Sequence, residues 1–256
     1  MRRIRVIPVL LLQNGGLVKS IRFKQHQYVG DPINAVKIFN EKEVDEIVIL
    51  DISASKDKRG PNIKQIAEIT GEAFMPLAYG GGITRIEEIK QILYEGAEKV
   101  IVNTSALDKP TLITEAAKKF GNQSVVVSLD VKKNWLGQYK VFRTNGSKNT
   151  GLSPAIFAKE MEERGAGEIL LNSIDRDGTF KGFDLEVVQA VAKAVSIPMI
   201  ACGGAATIED FYKAIHHGKA SAVAAGSMFV FQRPHRAVLI SYPSQSELKH
   251  KVFNLI

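Results

Sequence analysis

Two glycine turns in this chain could hold anions. Pro76-Leu77-Ala78-Tyr79-Gly80-Gly81-Gly82 and Pro198-Met199-Ile200-Ala201-Cys202-Gly203-Gly204 each carry a short apolar run into glycines, and each is followed by a Thr and acidic residues suited to opening a helix. Unhindered backbone N–H groups at such a junction bind phosphate. Small polar companions follow both turns, so that Gly81, Gly82, Asn103 and Thr104 make one constellation and Gly203, Gly204, Gly226 and Ser227 the other. Two equivalent copies predict a ligand with two phosphates, whereas tight strand-to-helix packing would account for a lone glycine pair. Acid–base candidates are carboxylates at predicted strand ends: Asp51, Asp130 and Asp177. Asp177 sits in the polar cluster Ser173 to Thr179, where it could hold a ribose hydroxyl or the catalytic geometry, or close an Asx-type turn at Gly178. Acid–base work opposite Asp130 wants a second ionisable group, and the end of the first strand offers Leu11, which transfers no proton.

The elements that must position these groups occur twice. The two glycine turns lie 122 positions apart, and so do Glu46 to Asp51 and Glu168 to Ser173, and Asn103-Thr104-Ser105 and Ala225-Gly226-Ser227. A period this long exceeds that of a solenoid unit and describes half a domain. Short apolar runs alternate with amphipathic windows, the pattern of parallel strands joined by crossover helices. Predicted strands cover Ile4 to Leu11, Glu46 to Asp51, Met75 to Tyr79, Lys99 to Asn103, Ser124 to Asp130, Glu168 to Ser173, Pro198 to Ala201 and Ser221 to Ala225. Eight such strands in 256 residues predict one (β/α)8 TIM barrel, with half-barrels at about 1–121 and 122–242 and a tail at 243–256. An open doubly wound sheet is the alternative, and it leaves the half-and-half repeat without a structural reason.

Composition fits an enzyme-sized globular domain, with 45% apolar and 24% charged residues. The net charge of +7 comes from scattered Lys and Arg without an aromatic-spaced stripe, which favours a phosphorylated small molecule or an acidic partner over nucleic acid. A single cysteine, Cys202, excludes an internal disulfide, suits a reducing cytoplasmic compartment and reads as a small packed residue. Met1-Arg2-Arg3 and the apolar run after it read as a first strand rather than a secretory signal, and no run approaches ~18 apolar residues, so no membrane span is expected.

Other segments carry weaker expectations. Gln13 to Gly30 is polar and bears Lys19, Arg22, Lys24 and His26; it predicts a mobile lid over the barrel mouth with Lys19 as its working cation, the alternative being a solvated hairpin. The charged loop to Pro61 is expected to be flexible, Trp135 to be a partly packed surface aromatic, Lys140 to Thr150 to be a polar turn, and a helix to follow Pro234. At the opposite end, Arg5, Glu46, Lys99 and Glu168 could close the barrel as a ring of ion pairs, a structural plug on this reading.

Leu50-Asp51-Ile52-Ser53-Ala54-Ser55, Gly80 to Ile83, Phe120 to Ser124, Gly165 to Leu171 and Ser173 to Thr179 together resemble the cyclase (HisF-type) subunit family of imidazole glycerol phosphate synthase, over nearly the whole chain. The resemblance implies a glutaminase subunit docked on the barrel's N-terminal face and ammonia passing through the barrel to a top site. There it would attack a bisphosphorylated formimino nucleotide. It also implies no cofactor and no metal. It carries the phosphate sites onto the residues named, adding Asp177 and Gly178, the lid lysine onto Lys19, and an ammonia gate onto Arg5, Glu46, Lys99 and Glu168. The family's catalytic aspartate pair is matched only by Asp130, because Leu11 stands in the other place; Gln13-Asn14 and Asn172 also depart from its pattern. Such a chain is similar to a divergent branch associated with acetamidino sugars of surface polysaccharides, where an ATP-dependent amidotransferase would receive the ammonia. The competing readings are a histidine-pathway cyclase, with Asp51 or Asp177 taking the missing role, and a non-catalytic sensor of a phosphorylated metabolite that activates a glutaminase.

Overall fold

The computed structural model describes residues 4–232 and 234–253. The chain opens with β1 (Arg5–Gln13), turns back through β2 (Gly16–Ile21) and β3 (Lys24–Gly30), and continues as α1 (Pro32–Glu41) and β4 (Ile47–Asp51). Next come α2 (Ile63–Thr70), β5 (Leu77–Gly80), α3 (Ile86–Tyr94), β6 (Lys99–Val102), the short α4 (Thr104–Asp108) and α5 (Thr111–Phe120). The second half runs through β7 (Val125–Lys133), β8 (Tyr139–Arg143), β9 (Lys148–Asn149), α6 (Pro154–Glu163), β10 (Glu168–Ser173) and α7 (Leu185–Ala194). It finishes with β11 (Met199–Cys202), α8 (Ile208–His216), β12 (Ala222–Ala225), α9 (Ser227–Val230), β13 (Phe231–Gln232), β14 (Ala237–Val238) and α10 (Gln245–Leu248).

Strands β1, β4, β5, β6, β7, β10, β11 and β12 pair in parallel in that order, and β12 pairs back onto β1, so the sheet closes on itself as a TIM barrel. Alternation of side chains across each strand separates two cores. Inside the barrel lie Ile7, Val9, Val48, Ala78, Ile101, Val126, Leu170, Ile200, Cys202, Ala222 and Ala224, with Leu11 and Leu50 at the upper edge. Outside it, Phe39, Ile89, Phe157, Val191, Phe211 and their neighbours seal the helices against the strands. Helix starts follow local chemistry: the Asp31 carboxylate accepts from the Asn34 amide at 2.9 Å ahead of Pro32, which fixes the first turn of α1.

The duplication extends to individual contacts. Gly81 has a positive φ (+134°) and a Cβ there would lie 2.6 Å from the Asp51 carbonyl; its counterpart Gly203 (+94°) would meet the Ser173 carbonyl at 2.7 Å. Glu88 accepts from the Thr84 and Arg85 amides, and Asp210 repeats this with the Ala206 and Thr207 amides. Backbone strain and close packing are therefore enough to require glycine at both turns.

Several expectations are corrected. Gln13 to Gly30 is a β-hairpin continuous with β1: Asn14 (+52°) and Gly15 (+83°) form a two-residue turn, and Arg22 (+53°) and Phe23 (+60°) form the next. The loop before Pro61 is a run of turns, pinned by Asp57 N to Ser53 O at 2.9 Å and Arg59 N to Ala54 O at 3.0 Å. Trp135 is 91% exposed at a hairpin tip rather than partly packed. Lys140 to Thr150 belongs to the β8–β9 hairpin, and the β13–β14 hairpin replaces the helix expected after Pro234. The tail is anchored: Leu248 and Val252 are fully buried, and the Tyr242 hydroxyl donates to the Val6 carbonyl at 2.8 Å. Among the described residues no helix is long and apolar enough to cross a membrane.

Gly203→Ala adds a backbone clash to left-handed strain, whereas Gly137→Ala adds strain alone, since nothing lies within 4 Å of its Cβ position. Urea unfolding is expected to show Gly203→Ala destabilised by about 2–4 kcal/mol and Gly137→Ala by about 1 kcal/mol.

Candidate active site at the barrel mouth

The C-terminal ends of the strands surround one chamber. Leu11, Lys19, Asp51, Asp130 and Asp177 line it, together with Gly81, Gly82, Asn103, Thr104, Gly178, Gly203, Gly204, Gly226 and Ser227. Every upper-site residue singled out from the sequence is thus brought to a single cavity. His26, Asn145, Asn172 and Cys202 line it as well.

Lys19 is buried at 3% exposure, and its ammonium donates to the Val9 carbonyl beside Gly226. The hairpin places it there: Leu11 pairs with Val18 across the β1–β2 ladder, so the next residue reaches over the mouth. Asp177 holds the hairpin down. Its carboxylate accepts from the Ser20 hydroxyl at 2.9 Å, and its carbonyl accepts from the Arg22 amide at 3.0 Å. Gly178 packs so tightly against the same hairpin that a Cβ would lie 2.1 Å from the Ser20 carbonyl. Burial lowers Lys19 to about 8 against the opposing charge of Asp177.

Asp130 is the least committed carboxylate. It accepts one hydrogen bond, from Asn103 Nδ2 at 3.2 Å, and the same amide nitrogen also donates to the Ser128 carbonyl at 3.0 Å. Burial raises its pKa to about 7; the Asn103 bond lowers it and the charge of Asp177 adds to the rise. Asp51, by contrast, is fully engaged: it accepts from Ser53 N at 3.0 Å, Ser53 Oγ at 2.8 Å, Ala54 N at 3.1 Å and Arg59 Nη2 at 2.7 Å. It pins the loop beneath Gly82, where a Cβ would meet the Arg59 carbonyl at 2.5 Å. Leu11 is half-buried and packs on the lumen cluster with Leu50, giving the wall facing Asp130 an apolar surface. Burial pushes the Cys202 thiol up to about 12, so it is a neutral lining group.

At the other end of the lumen, Arg5 bridges Glu46 and Glu168, and Lys99 Nζ lies 3.0 Å from a carboxylate oxygen of each. The ring is net neutral and closed, with Glu46 and Glu168 almost fully buried. Burial would lower Arg5, but its bonds to the two glutamates outweigh that and raise it.

The histidine biosynthesis protein family matches residues 5–234. A Pseudomonas aeruginosa protein named "Putative imidazole glycerol phosphate synthase subunit hisF2" is 54% identical over 248 residues, 97% of this chain and 99% of its own length. The correspondingly named hisF3 of Vibrio vulnificus is 47% identical over 250 residues (97% and 96%), and the imidazole glycerol phosphate synthase subunit HisF of Alkaliphilus metalliredigens is 40% identical over 248 residues (97% and 96%). The chain belongs to the HisF-type family of imidazole glycerol phosphate synthase subunits.

In this HisF-type barrel, sequence reasoning missed Arg59, Ser20 and Asn145. Arg59 lay in a loop expected to be flexible, and its partner Asp51 is eight positions away without helical spacing. Asn145 donates to the Ile52 carbonyl at 2.7 Å and so roofs the chamber; the polar turn expected at Lys140 to Thr150 carries no sign of where it would land.

Asp130 has a folded pKa above its unfolded value of ~3.9, so its contribution to stability is complete below about pH 4 and is lost as pH rises through about 7. Asp130→Asn removes that loss. Urea titrations are expected to show the variant gaining on the parent by on the order of 1–3 kcal/mol between about pH 5 and pH 8, moderated by chamber solvent; parallel pH profiles would contradict it.

Proposed function

We propose that this chain is the ammonia-conducting synthase subunit of a glutamine-dependent amidotransferase complex, with a glutaminase docked at its N-terminal face, and that the nitrogen serves acetamidino group formation on a surface-polysaccharide sugar. The observation that carries the reading is the contrast between the two ends of one lumen: a complete ring of Arg5, Glu46, Lys99 and Glu168 below, and Leu11 facing Asp130 above. An apolar tube suits neutral ammonia, and a ring of paired charges at its lower end suits a gate. The upper chamber keeps two glycine turns for a phosphorylated ligand but has no carboxylate at the end of β1 to pair with Asp130, and Asp51 spends its oxygens on Arg59 and Ser53. The acceptor in this reading is an ATP-using enzyme that activates an acetamido oxygen. The names hisF2 and hisF3 among the relatives are those of additional copies of the subunit type, in keeping with a divergent branch.

The competing reading, a histidine-pathway cyclase, is favoured by the retention of Asp130, Lys19 and both glycine turns in one chamber. Purified barrel supplied with ammonium chloride and the formimino nucleotide separates the two. Loss of one of two proton-transfer groups typically costs about 10²- to 10⁴-fold, so turnover is expected at least about 100-fold below that of a HisF subunit with both aspartates. Leu11→Asp is expected to recover at least about tenfold. Turnover by the parent at the rate of such a subunit ends the proposal. In a complex reconstituted with the glutaminase, Lys99→Met opens the ring, and ammonia is expected to escape to the medium in proportion to glutamine consumed; full retention would remove the ring from the gating role.

A further inference from the structure

We infer that the β7–β8 hairpin is a docking arm for an acidic protein partner, which takes Trp135 and Leu136 into an apolar pocket and lays carboxylates along Lys132 and Lys140; the partner is the enzyme that takes up the nitrogen. Trp135 is the chain's single tryptophan and stands in solvent at the tip, with Leu136 exposed beside it. Lone exposed apolar residues are ordinary on protein surfaces, but these two adjacent ones cap a turn built to hold them out. Asn134 Oδ1 accepts from the Leu136 and Gln138 amides, both at 2.9 Å, and the Gly137 amide donates to the Asn134 carbonyl at 3.0 Å. The stem is strapped down on one side: the Lys133 amide donates to Asp175 at 3.0 Å, and the Tyr139 hydroxyl donates to Asp184 at 2.7 Å and Glu186 at 2.9 Å. An anchor held this way gives up little conformational freedom when a partner covers it, which is what favours aromatic hot spots.

The two faces of the stem differ in charge. Lys133 and Tyr139, opposite each other on the ladder, meet the chain's own acids, with the Lys133 ammonium 3.2 Å from Glu186. On the other face Lys132 and Lys140 are paired directly across the strands, and among the described residues neither joins an ion pair. Like charges opposite each other disfavour the ladder, and an acidic surface laid over them removes the repulsion. From Val131 to Thr150 the chain carries Lys132, Lys133, Lys140, Arg143 and Lys148 but no Asp or Glu. Lys132 follows Asp130 two positions on along β7, so the uncompensated face continues the chamber side of that strand. Trp135 lies five positions beyond Asp130, at most about 18 Å along the chain, and a protein seated on the arm stands beside the mouth. Charge on one face alone fits a protein surface. An anionic bilayer would surround the tip and meet Glu186, whose side chain is 71% exposed on the far side of the stem. A second copy of this chain would bring a net charge of +7 to a basic surface.

The identity of the partner rests on the proposed function, and the test keeps the two apart. The full chain, carrying 5-fluorotryptophan at its single tryptophan, gives one ¹⁹F signal. That signal is followed as the purified ATP-using amidotransferase, the glutaminase, or vesicles of phosphatidylglycerol and phosphatidylcholine are added. The expected result is a saturable shift with the amidotransferase and none with the other two. Leu136→Asp is expected to weaken that binding at least tenfold, and so is the combination of Lys132→Glu with Lys140→Glu. Raising sodium chloride from about 0.05 M to about 0.5 M is expected to weaken binding by the parent more than by the doubly substituted chain. No shift with the amidotransferase, a shift with the glutaminase or the vesicles, or an affinity that neither set of substitutions changes overturns the inference. Transfer of glutamine nitrogen, measured in the same mixtures, reports on the proposed function separately. An amidotransferase that seats on the tip but receives no nitrogen removes that function and leaves the arm standing, and transfer without any shift at Trp135 does the reverse.

Discussion

Four charges held together at the N-terminal end of the barrel are the constraint on which the rest depends. Glu46 and Glu168 are buried, and each is shared between Arg5 and Lys99. Any one of them alone would be a costly buried charge, while the four together are neutral and mutually satisfied. That neutrality lets a strongly polar layer sit beside the apolar lumen residues Ile7 and Val48, which follow Arg5 and Glu46 two positions on in the chain. It also gives the barrel two unlike ends, a ring of ion pairs at the bottom and a chamber at the top, with an apolar lumen between them.

The upper chamber is built by a different logic. The two halves of the fold contribute nearly superposable glycine turns, each forced by a positive φ and by backbone approach to the strand before it. On that symmetric base the chain places asymmetric pieces. The β2–β3 hairpin reaches over the mouth only from the first half, bringing Lys19 in and docking on Asp177 of the second. Asp130 and Asn172 lie on neighbouring strands of the second half, facing Leu11 and Leu50 of the first. One wall can accept hydrogen bonds and the other cannot, so chemistry in this chamber is directional.

Charge in the chamber follows from burial more than from pairing. Lys19 and Asp130 are both drawn towards neutrality by their surroundings, and Asp177 between them is raised for the same reason. Asp51, tied to Arg59, shows the contrasting case of a carboxylate spent on structure. Carboxylates that look alike in the sequence therefore have separate uses, decided by which donors the fold brings to them.

The sequence by itself determined the eight-strand barrel, its repeat and which residues gather at each end of it, because these rest on hydrophobic period and on residue types at strand ends, which are local and recur 122 positions apart. It placed Leu11 opposite Asp130 for the same reason. What it left open was decided by tertiary contact. The hairpin turns at Asn14-Gly15 and Arg22-Phe23 make the expected lid a docked ribbon, Ser53 and Arg59 take up the Asp51 carboxylate, and Asn172 Oδ1 has no partner among the described residues. Each of these depends on which atoms from distant segments come within hydrogen-bond reach, a quantity that periodicity does not encode and that only closure of the barrel fixes.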